Sequence, residues 1–292
     1  MIRLADYVMD FLAGRGVRQV FMLPGGGAMH LDDALGRHKS LHYSCFLHEQ
    51  ALAIAVEAYG QHTNAPGVGL VTSGPGSTNA VTGVAAAFID STPAFFLSGQ
   101  AKRSDLKGDS GVRQMGAQEV DIVSMVSCIT KYAVTVLEPE KIRYHLERAW
   151  HEATSGRMGP VWLDIPLDVQ GSLIDETALA GFTPEPPEQP VLPMAEIAAL
   201  LKTAERPLLL AGNGVKLAGA AGRLVAWAEE NRIPMLTSWK TIDLLDFNHP
   251  LNFGCPGIMG MRYSNFIVQN CDLLLVVGSR LDPSLTAFRS ED

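Results

Sequence analysis

A chain of 292 residues with 47% hydrophobic and 18% charged side chains has the composition of a globular protein, at a length that predicts about two domains. Its net charge of −8 with no Lys/Arg cluster argues against a nucleic-acid surface, and no apolar run reaches the ~18 residues of a membrane span. At the amino terminus Leu4, Val8, Phe11 and Leu12 share one helical face with Asp6 and Asp10 interspersed, unlike a signal or transit peptide. Cys45, Cys128, Cys255 and Cys271 lack C-x-x-C spacing and read as buried free thiols of a reducing compartment. The expected location is the cytoplasm.

Apolar, β-prone runs predict strands over residues 18–23, 41–46, 68–71, 94–97 and 161–165. Helical patterns separate them at about 50–61, 77–89 and 139–155, with shorter helices after Ala28 and after Gln118. Strand and helix in alternation predict an α/β fold with a parallel sheet covered on both faces, whose ligands bind beyond the carboxyl ends of the strands. Glycine gathers at those ends, in Pro24-Gly25-Gly26-Gly27, Ser73-Gly74-Pro75-Gly76 and Ser98-Gly99-Gln100. One such loop is ordinary, but three on one edge mark a crevice where backbone approaches a ligand.

Glu49 enters the same edge, in Phe46-Leu47-His48-Glu49-Gln50. It admits two readings: an anion in the first turn of a helix, favoured by the macrodipole, or a carboxylate in a poorly solvated site. There desolvation favours the protonated form, and the group can hold or release a proton near neutral pH.

Residues 171–193, rich in Pro and Glu, read as a linker. A second α/β unit follows over 194–292, with strands at 207–211, 234–237 and 272–277, a Gly212-Asn213-Gly214 turn, and a helix at 218–231. The glycine spacing is wrong for a dinucleotide fingerprint. A sheet of three strands leaves apolar faces and an edge uncovered, so the sequence is expected to be part of a longer protein or to need a partner polypeptide.

Together these segments resemble thiamine-diphosphate-dependent enzymes of the acetolactate synthase large-subunit type. The resemblance rests on Val20 to Gly27, His48-Glu49-Gln50, Thr72 to Asn79, Gly99-Gln100, Gln118-Glu119, Thr130-Lys131-Tyr132, Gly159 to Pro166 and Gly278-Ser279-Arg280-Leu281-Asp282. It implies a parallel-sheet pyrimidine-binding domain over 1–170, then an incomplete Rossmann-like central domain over 194–292. It also implies that Glu49 bonds the cofactor's aminopyrimidine and so activates it to attack a 2-keto acid, pyruvate above all. Carbon dioxide leaves, and the carbanion adds to a second carbonyl or is protonated.

By the same resemblance Pro24, Gly25, Gly26, Gly74, Pro75, Gly76 and Asn79 shape the pyrimidine pocket. Gln118 reaches the reaction centre, and Lys131 lies near the substrate channel or is a solvated strand-end lysine. Gly212, Gly214, Thr237, Gly278, Arg280 and Asp282 match loops that contact FAD in that branch. A guanidinium at a strand's carboxyl end also suits a pyrophosphate, although Arg280 could equally pair with Asp282 or Asp272.

The family holds the diphosphate through Mg2+ in a further domain marked by Gly-Asp-Gly and a later asparagine. Gly108-Asp109-Ser110 does not fit that mark, so no metal ligand is assigned here. The expected working unit is a homodimer or larger, or a pairing with a polypeptide carrying that domain. The stretch from Arg113 to Glu119 leaves the acceptor open. Rival readings are a lyase on another 2-keto acid or an acyl-CoA, and a non-catalytic binding or regulatory subunit of the same fold.

Overall fold

The computed structural model describes residues 1–186, 190–286 and 288. The chain divides into two compact units, Met1–Pro187 and Glu188–Asp292.

The first unit runs β1 (Ile2–Arg3), α1 (Leu4–Gly14), β2 (Gln19–Met22), α2 (Met29–Arg37), β3 (His42–Cys45), α3 (Glu49–Thr63), β4 (Gly67–Val71) and α4 (Pro75–Asp90). It continues through β5 (Ala94–Gln100), α5 (Ile122–Val126), β6 (Tyr132–Thr135), α6 (Ile142–Thr154), β7 (Pro160–Pro166), α7 (Leu167–Gln170) and β8 (Leu173–Ile174). Six strands form one parallel sheet in the order β3-β2-β4-β5-β7-β6, while β1 and β8 make a separate antiparallel pair.

The central strands show why the sheet lies between two layers. Every residue of β4, β5 and β7 is buried, and successive side chains go to opposite faces. Phe95, Leu97, Val161 and Leu163 join the core under α1, α2 and α6, where Leu4, Val8 and Leu12 are fully buried as the helical face predicts. Phe96 and Trp162 point the other way, into the core with Leu52, Val56, Val84 and Ile122, and stack at 5.3 Å between ring centroids. The predicted parallel sheet is therefore present, with one strand more than the sequence reading placed. That strand, β6, is a half-buried edge strand of four residues, too short to stand out by pattern.

Two other expectations are corrected. The start of the supposed linker is held to the first unit: Ile174 and Leu179 are buried, and the Phe182 amide donates to Glu147 Oε2 at 2.7 Å. Cys45 and Cys128 are exposed. Cys45 ends β3, an edge strand with all four residues exposed, so its β-prone sequence does not imply burial.

The second unit comprises α8 (Met194–Thr203), β9 (Pro207–Ala211), α9 (Gly214–Leu217), α10 (Ala221–Asn231), β10 (Met235–Thr237), α11 (Arg262–Asn270) and β11 (Leu273–Val277). Its three strands are parallel in the order β10-β9-β11. The helix expected over 218–231 begins at Ala221, because Gly219 at φ +62° ends α9 first. Among the described residues no helix is long and apolar enough to cross a membrane.

Candidate functional site

From β2 the chain steps to β3 on one side and then to β4 on the other, so the loops after β2 and β4 flank a topological switch point. They meet closely. A side-chain carbon on Gly25 would stand 2.6 Å from Thr72 Cβ, and one on Gly27 would stand 2.6 Å from Ser73 Oγ. The Gly27 amide donates to Thr72 Oγ1 at 3.1 Å, and Gln170 Nε2 reaches the Gly27 carbonyl at 2.8 Å. Gly26 meets nothing within 4 Å, and Pro24 is exposed.

Glu49 and Asn79 are brought together by the packing of their helices. His48 caps α3, its Nδ1 accepting the Gln50 amide at 3.1 Å, which places Glu49 in the first turn. Helix α4 starts where Gly74 takes φ +61°, ψ −122°, a conformation left to glycine, and Pro75 supplies a preset φ. The two helices touch through Gly83, where a side-chain carbon would lie 2.5 Å from Ala53 Cβ. At that spacing Asn79 Nδ2 donates to Glu49 Oε2 at 3.0 Å. Only 8% of Glu49 remains exposed. A side-chain carbon on Gly76 would stand 2.6 Å from Thr72 Cγ2 and 3.4 Å from Glu49 Oε1, so only glycine lets the start of α4 lie this close to Thr72 and the carboxylate.

Gln118 joins the same corner. A side-chain carbon on Gly74 would come within 2.3 Å of the Gln118 carbonyl oxygen, and Gln118 itself has φ +57°. Its segment is fastened by Glu119, whose carboxylate accepts the amides of Lys107 (2.7 Å), Met115 (3.0 Å) and Gly116 (3.1 Å). Burial alone would raise the Glu119 pKa, but these three amides and Lys107 bring it below the usual value.

Asp32 is a further member that sequence reasoning missed. Its Oδ2 accepts the Gly25 amide at 3.1 Å, while its Oδ1 is buried without a hydrogen-bond partner. Burial pushes its carboxyl up to about 6 against the lowering effect of the Gly25 amide. The neighbouring Asp33 instead faces solvent and pairs with Arg3 and Arg37. Nothing in the adjacent Asp32-Asp33 pair reveals which one turns inward.

Lys131 does not join this group. It precedes β6, at the amino end of the parallel sheet, whereas Glu49, Gly25 and Gly74 follow strands at the carboxyl end. Its ammonium donates to the carbonyls of Glu152 and Ser155 at the end of α6, with the Glu152 carboxylate 4.0 Å away. Burial lowers its pKa, and Glu152 opposes the shift. Lys131 thus caps a helix, and the carbonyls in place of water set it apart from a solvated strand-end lysine.

In the second unit, the residues expected to contact a flavin, Arg280 apart, pack against or bond to the protein itself. Side-chain carbons on Gly212 and Gly278 would lie 2.4 Å from the Gly278 carbonyl oxygen and 2.5 Å from the Val215 nitrogen, and one on Gly214 would lie 2.9 Å from Gly278 Cα. Asp282 accepts the amides of Ser284 and Leu285 at 2.9 and 3.2 Å and the Ser284 hydroxyl, which with Arg280 hold its pKa down. Thr237 is buried, its amide donating to the Gly254 carbonyl at 2.9 Å, and Arg280 is exposed.

Residues 2–125 match the family described as "Thiamine pyrophosphate enzyme, N-terminal TPP binding domain", and residues 194–292 match "Thiamine pyrophosphate enzyme, central domain". The probable acetolactate synthase large subunit of Methanocaldococcus jannaschii is 34% identical over 290 residues, covering 97% of this chain and 48% of that protein. The acetolactate synthase isozyme 2 large subunit of Escherichia coli is 34% identical over 285 residues, covering 97% of this chain and 50% of its own. The acetolactate synthase of Arthrospira platensis is 35% identical over 289 residues, covering 94% and 48%. The chain spans about half the length of these curated relatives.

Proposed function

This chain belongs to the thiamine pyrophosphate enzymes, and from that premise we propose that it supplies the pyrimidine side of a site that decarboxylates a 2-keto acid and joins the product to a second carbonyl compound. One observation carries the reading: Glu49 is a nearly buried carboxylate, held through one oxygen by Asn79, whose other oxygen accepts no hydrogen bond among the described residues. A scaffold gains nothing from burying a carboxylate with one oxygen unpaired, whereas an acid–base group needs that oxygen free.

Glycines at 25, 74 and 76 let these loops close onto Thr72 and Gln118 beside the unpaired Glu49 oxygen, an acceptor suited to a nitrogen-bearing ring. Thiamine diphosphate, when bound, supplies the electron sink for the electron pair left by decarboxylation. Glu49 would hold or release a proton at its open oxygen toward a ring nitrogen, and Asn79 would fix the rotamer that aims it. The Gly74 turn would set the height of the pocket, and the backbone of Gln118, lying against that turn, would close one side. Pyruvate is the proposed donor, by analogy with the acetolactate synthases to which the chain is similar. Decarboxylation and carboligation involve no net redox change, so the proposal needs no flavin.

Among the described residues no group of three or more His, Cys, Asp or Glu is placed to hold a metal ion. We assign the Mg2+ and diphosphate ligands to another polypeptide or chain segment, and the working unit to at least two subunits. The test is carbon dioxide release from pyruvate with thiamine diphosphate and Mg2+, by this chain alone and with a polypeptide supplying the part of the relatives that this sequence does not span. Release only with the supplement is expected, and Glu49→Gln should lower it by about 10² to 10⁴, the usual effect of a lost acid–base group. Silence in both arms, or full activity of Glu49→Gln, would overturn the reading.

A further inference from the structure

The segment from residue 101 to residue 121 leaves β5 and returns to place the Gln118 backbone on the Gly74 turn. Between Gln100 and Val120 lies a chain of buried hydrogen bonds that neither the family match nor the proposed chemistry assigns. Gln100 is 3% exposed and uses both ends of its amide. Its Oε1 accepts the Ala101 amide at 3.0 Å, while its Nε2 donates to the Val120 carbonyl and to Asp164 Oδ2, both at 2.9 Å. A flipped amide would lose all three, so its orientation is fixed.

Asp164, at 1% exposure, anchors this amide from β7. Ser98 Oγ donates to its Oδ1 at 2.6 Å and itself accepts from Trp162 Nε1 at 2.8 Å, while Thr135 Oγ1 reaches Oδ2 at 3.3 Å. No cation pairs with this carboxylate among these contacts. Its partners are neutral donors from β5 and β6, and the nearby acid that acts on it is Asp121. Only the Gln100 donor continues onward to the segment carrying Gln118. The other two end in the sheet.

We infer that Gln100 is a positioning residue, holding residues 101–121 against the Gly74 turn beside Glu49 through the Val120 carbonyl, with Asp164 as the fixed post to which it is tied. The inference rests on the proposed function for its catalytic meaning, but the tie itself is testable without catalysis. Amide hydrogen exchange, read peptide by peptide on the full 292-residue chain, measures it directly.

Gln100→Met keeps the volume and removes the three bonds. It should speed exchange in peptides covering 107–120 by about tenfold or more, the scale expected when the bonds closing a loop are lost, with β4 and β7 unchanged. Asp164→Asn keeps the acceptor for Ser98 but turns an NH2 toward Gln100, and it should reproduce the effect if Gln100→Met does not fold. Thr135→Val removes a donor from the same carboxylate without touching the segment and should leave 107–120 at the wild-type rate.

Unchanged exchange at 107–120 in Gln100→Met or in Asp164→Asn, an equal rise throughout the sheet, or the same rise in Thr135→Val would each overturn the inference. In the complemented enzyme Gln100→Met should lower turnover while Thr135→Val does not. Opening of the segment with turnover intact would sever the tie from the reaction. If the wild type shows no turnover while the exchange pattern holds, it is the proposed function that fails.

Discussion

The carboxyl ends of the two sheets carry the same sequence signal, glycine after an apolar strand, and the structure sets it in two different surroundings. In the first unit side-chain carbons on Gly25 and Gly76 would strike Thr72 and one on Gly74 would strike Gln118, and the Gly76 position also lies 3.4 Å from the Glu49 carboxylate. In the second, Gly212, Gly214 and Gly278 face one another's loops just as closely, and no carboxylate stands among those contacts. A glycine-rich strand–helix loop therefore marks close approach. What separates the two units is the polar group beside the close approach, which in the first is Glu49.

A buried charge is the sharpest difference between the two ends, and it predicts the largest effect. Burial pushes the Asp164 carboxyl up to about 7, against Ser98, Gln100 and Thr135, which lower it. The folded protein therefore binds this proton between about pH 4 and 7, where the unfolded chain does not. The contribution to stability is full below about pH 4 and is lost as pH rises through about 7, a difference of roughly 4 kcal/mol. Asp32 acts in the same direction. His145, whose pKa burial lowers, acts oppositely near its ordinary range, while Asp168 and Glu147, held low, act only at more acid pH. Denaturant midpoints between pH 5 and 8 should fall with rising pH in the wild type relative to Asp164→Asn. Parallel profiles would remove Asp164 from the account.

Glycine substitutions come next, because they test the two surroundings directly. Gly74→Ala forces a side chain onto the Gln118 carbonyl at a positive φ, and Gly212→Ala forces one onto the Gly278 carbonyl. Each should destabilise its own unit by about 3 kcal/mol or more, from backbone strain and overpacking. Titration calorimetry with thiamine diphosphate and Mg2+ on the complemented protein separates them: binding should be lost in Gly74→Ala and retained in Gly212→Ala. Gly26→Ala, with open space around it, should change stability by less than about 0.5 kcal/mol. Loss of binding in Gly212→Ala would merge the two regions into one kind of site.

The same contrast shows what could be read before the structure. The parallel sheet was legible because β4, β5 and β7 are buried on both faces and spell near-continuous apolar runs. Glu49 was legible as a carboxylate between a β-prone run and an alanine-rich helix, and the Gly74-Pro75-Gly76 turn marked the start of the next helix. Asp32 was not, because a pattern cannot say which of two adjacent acids a helix turns inward. The buried fate of Gln100 and Asp164 was equally hidden, since their partners lie 20 and 64 residues away in sequence. Cys45 misled because a β-prone run looks alike in a central and an edge strand, and only pairing order tells them apart.

Lys131 offers the smallest effect and the finest test of which edge of the first sheet does chemistry. A strand end was one of its two readings, but with β6 too short to place by pattern the sequence could not say which edge of the sheet that end lies on. In the structure its ammonium satisfies the Glu152 and Ser155 carbonyls that α6 leaves open. Lys131→Met keeps much of the stem and removes those bonds, at a cost offset in part by no longer burying an ammonium. A loss of about 1 kcal/mol in unfolding free energy is expected. Turnover of the complemented enzyme should stay within about twofold, since the change lies at the edge opposite Glu49 and a remote surface change is worth only tenths of a kcal/mol. A large fall in turnover without loss of stability would return Lys131 to the reaction and place part of the site at the amino end of the sheet.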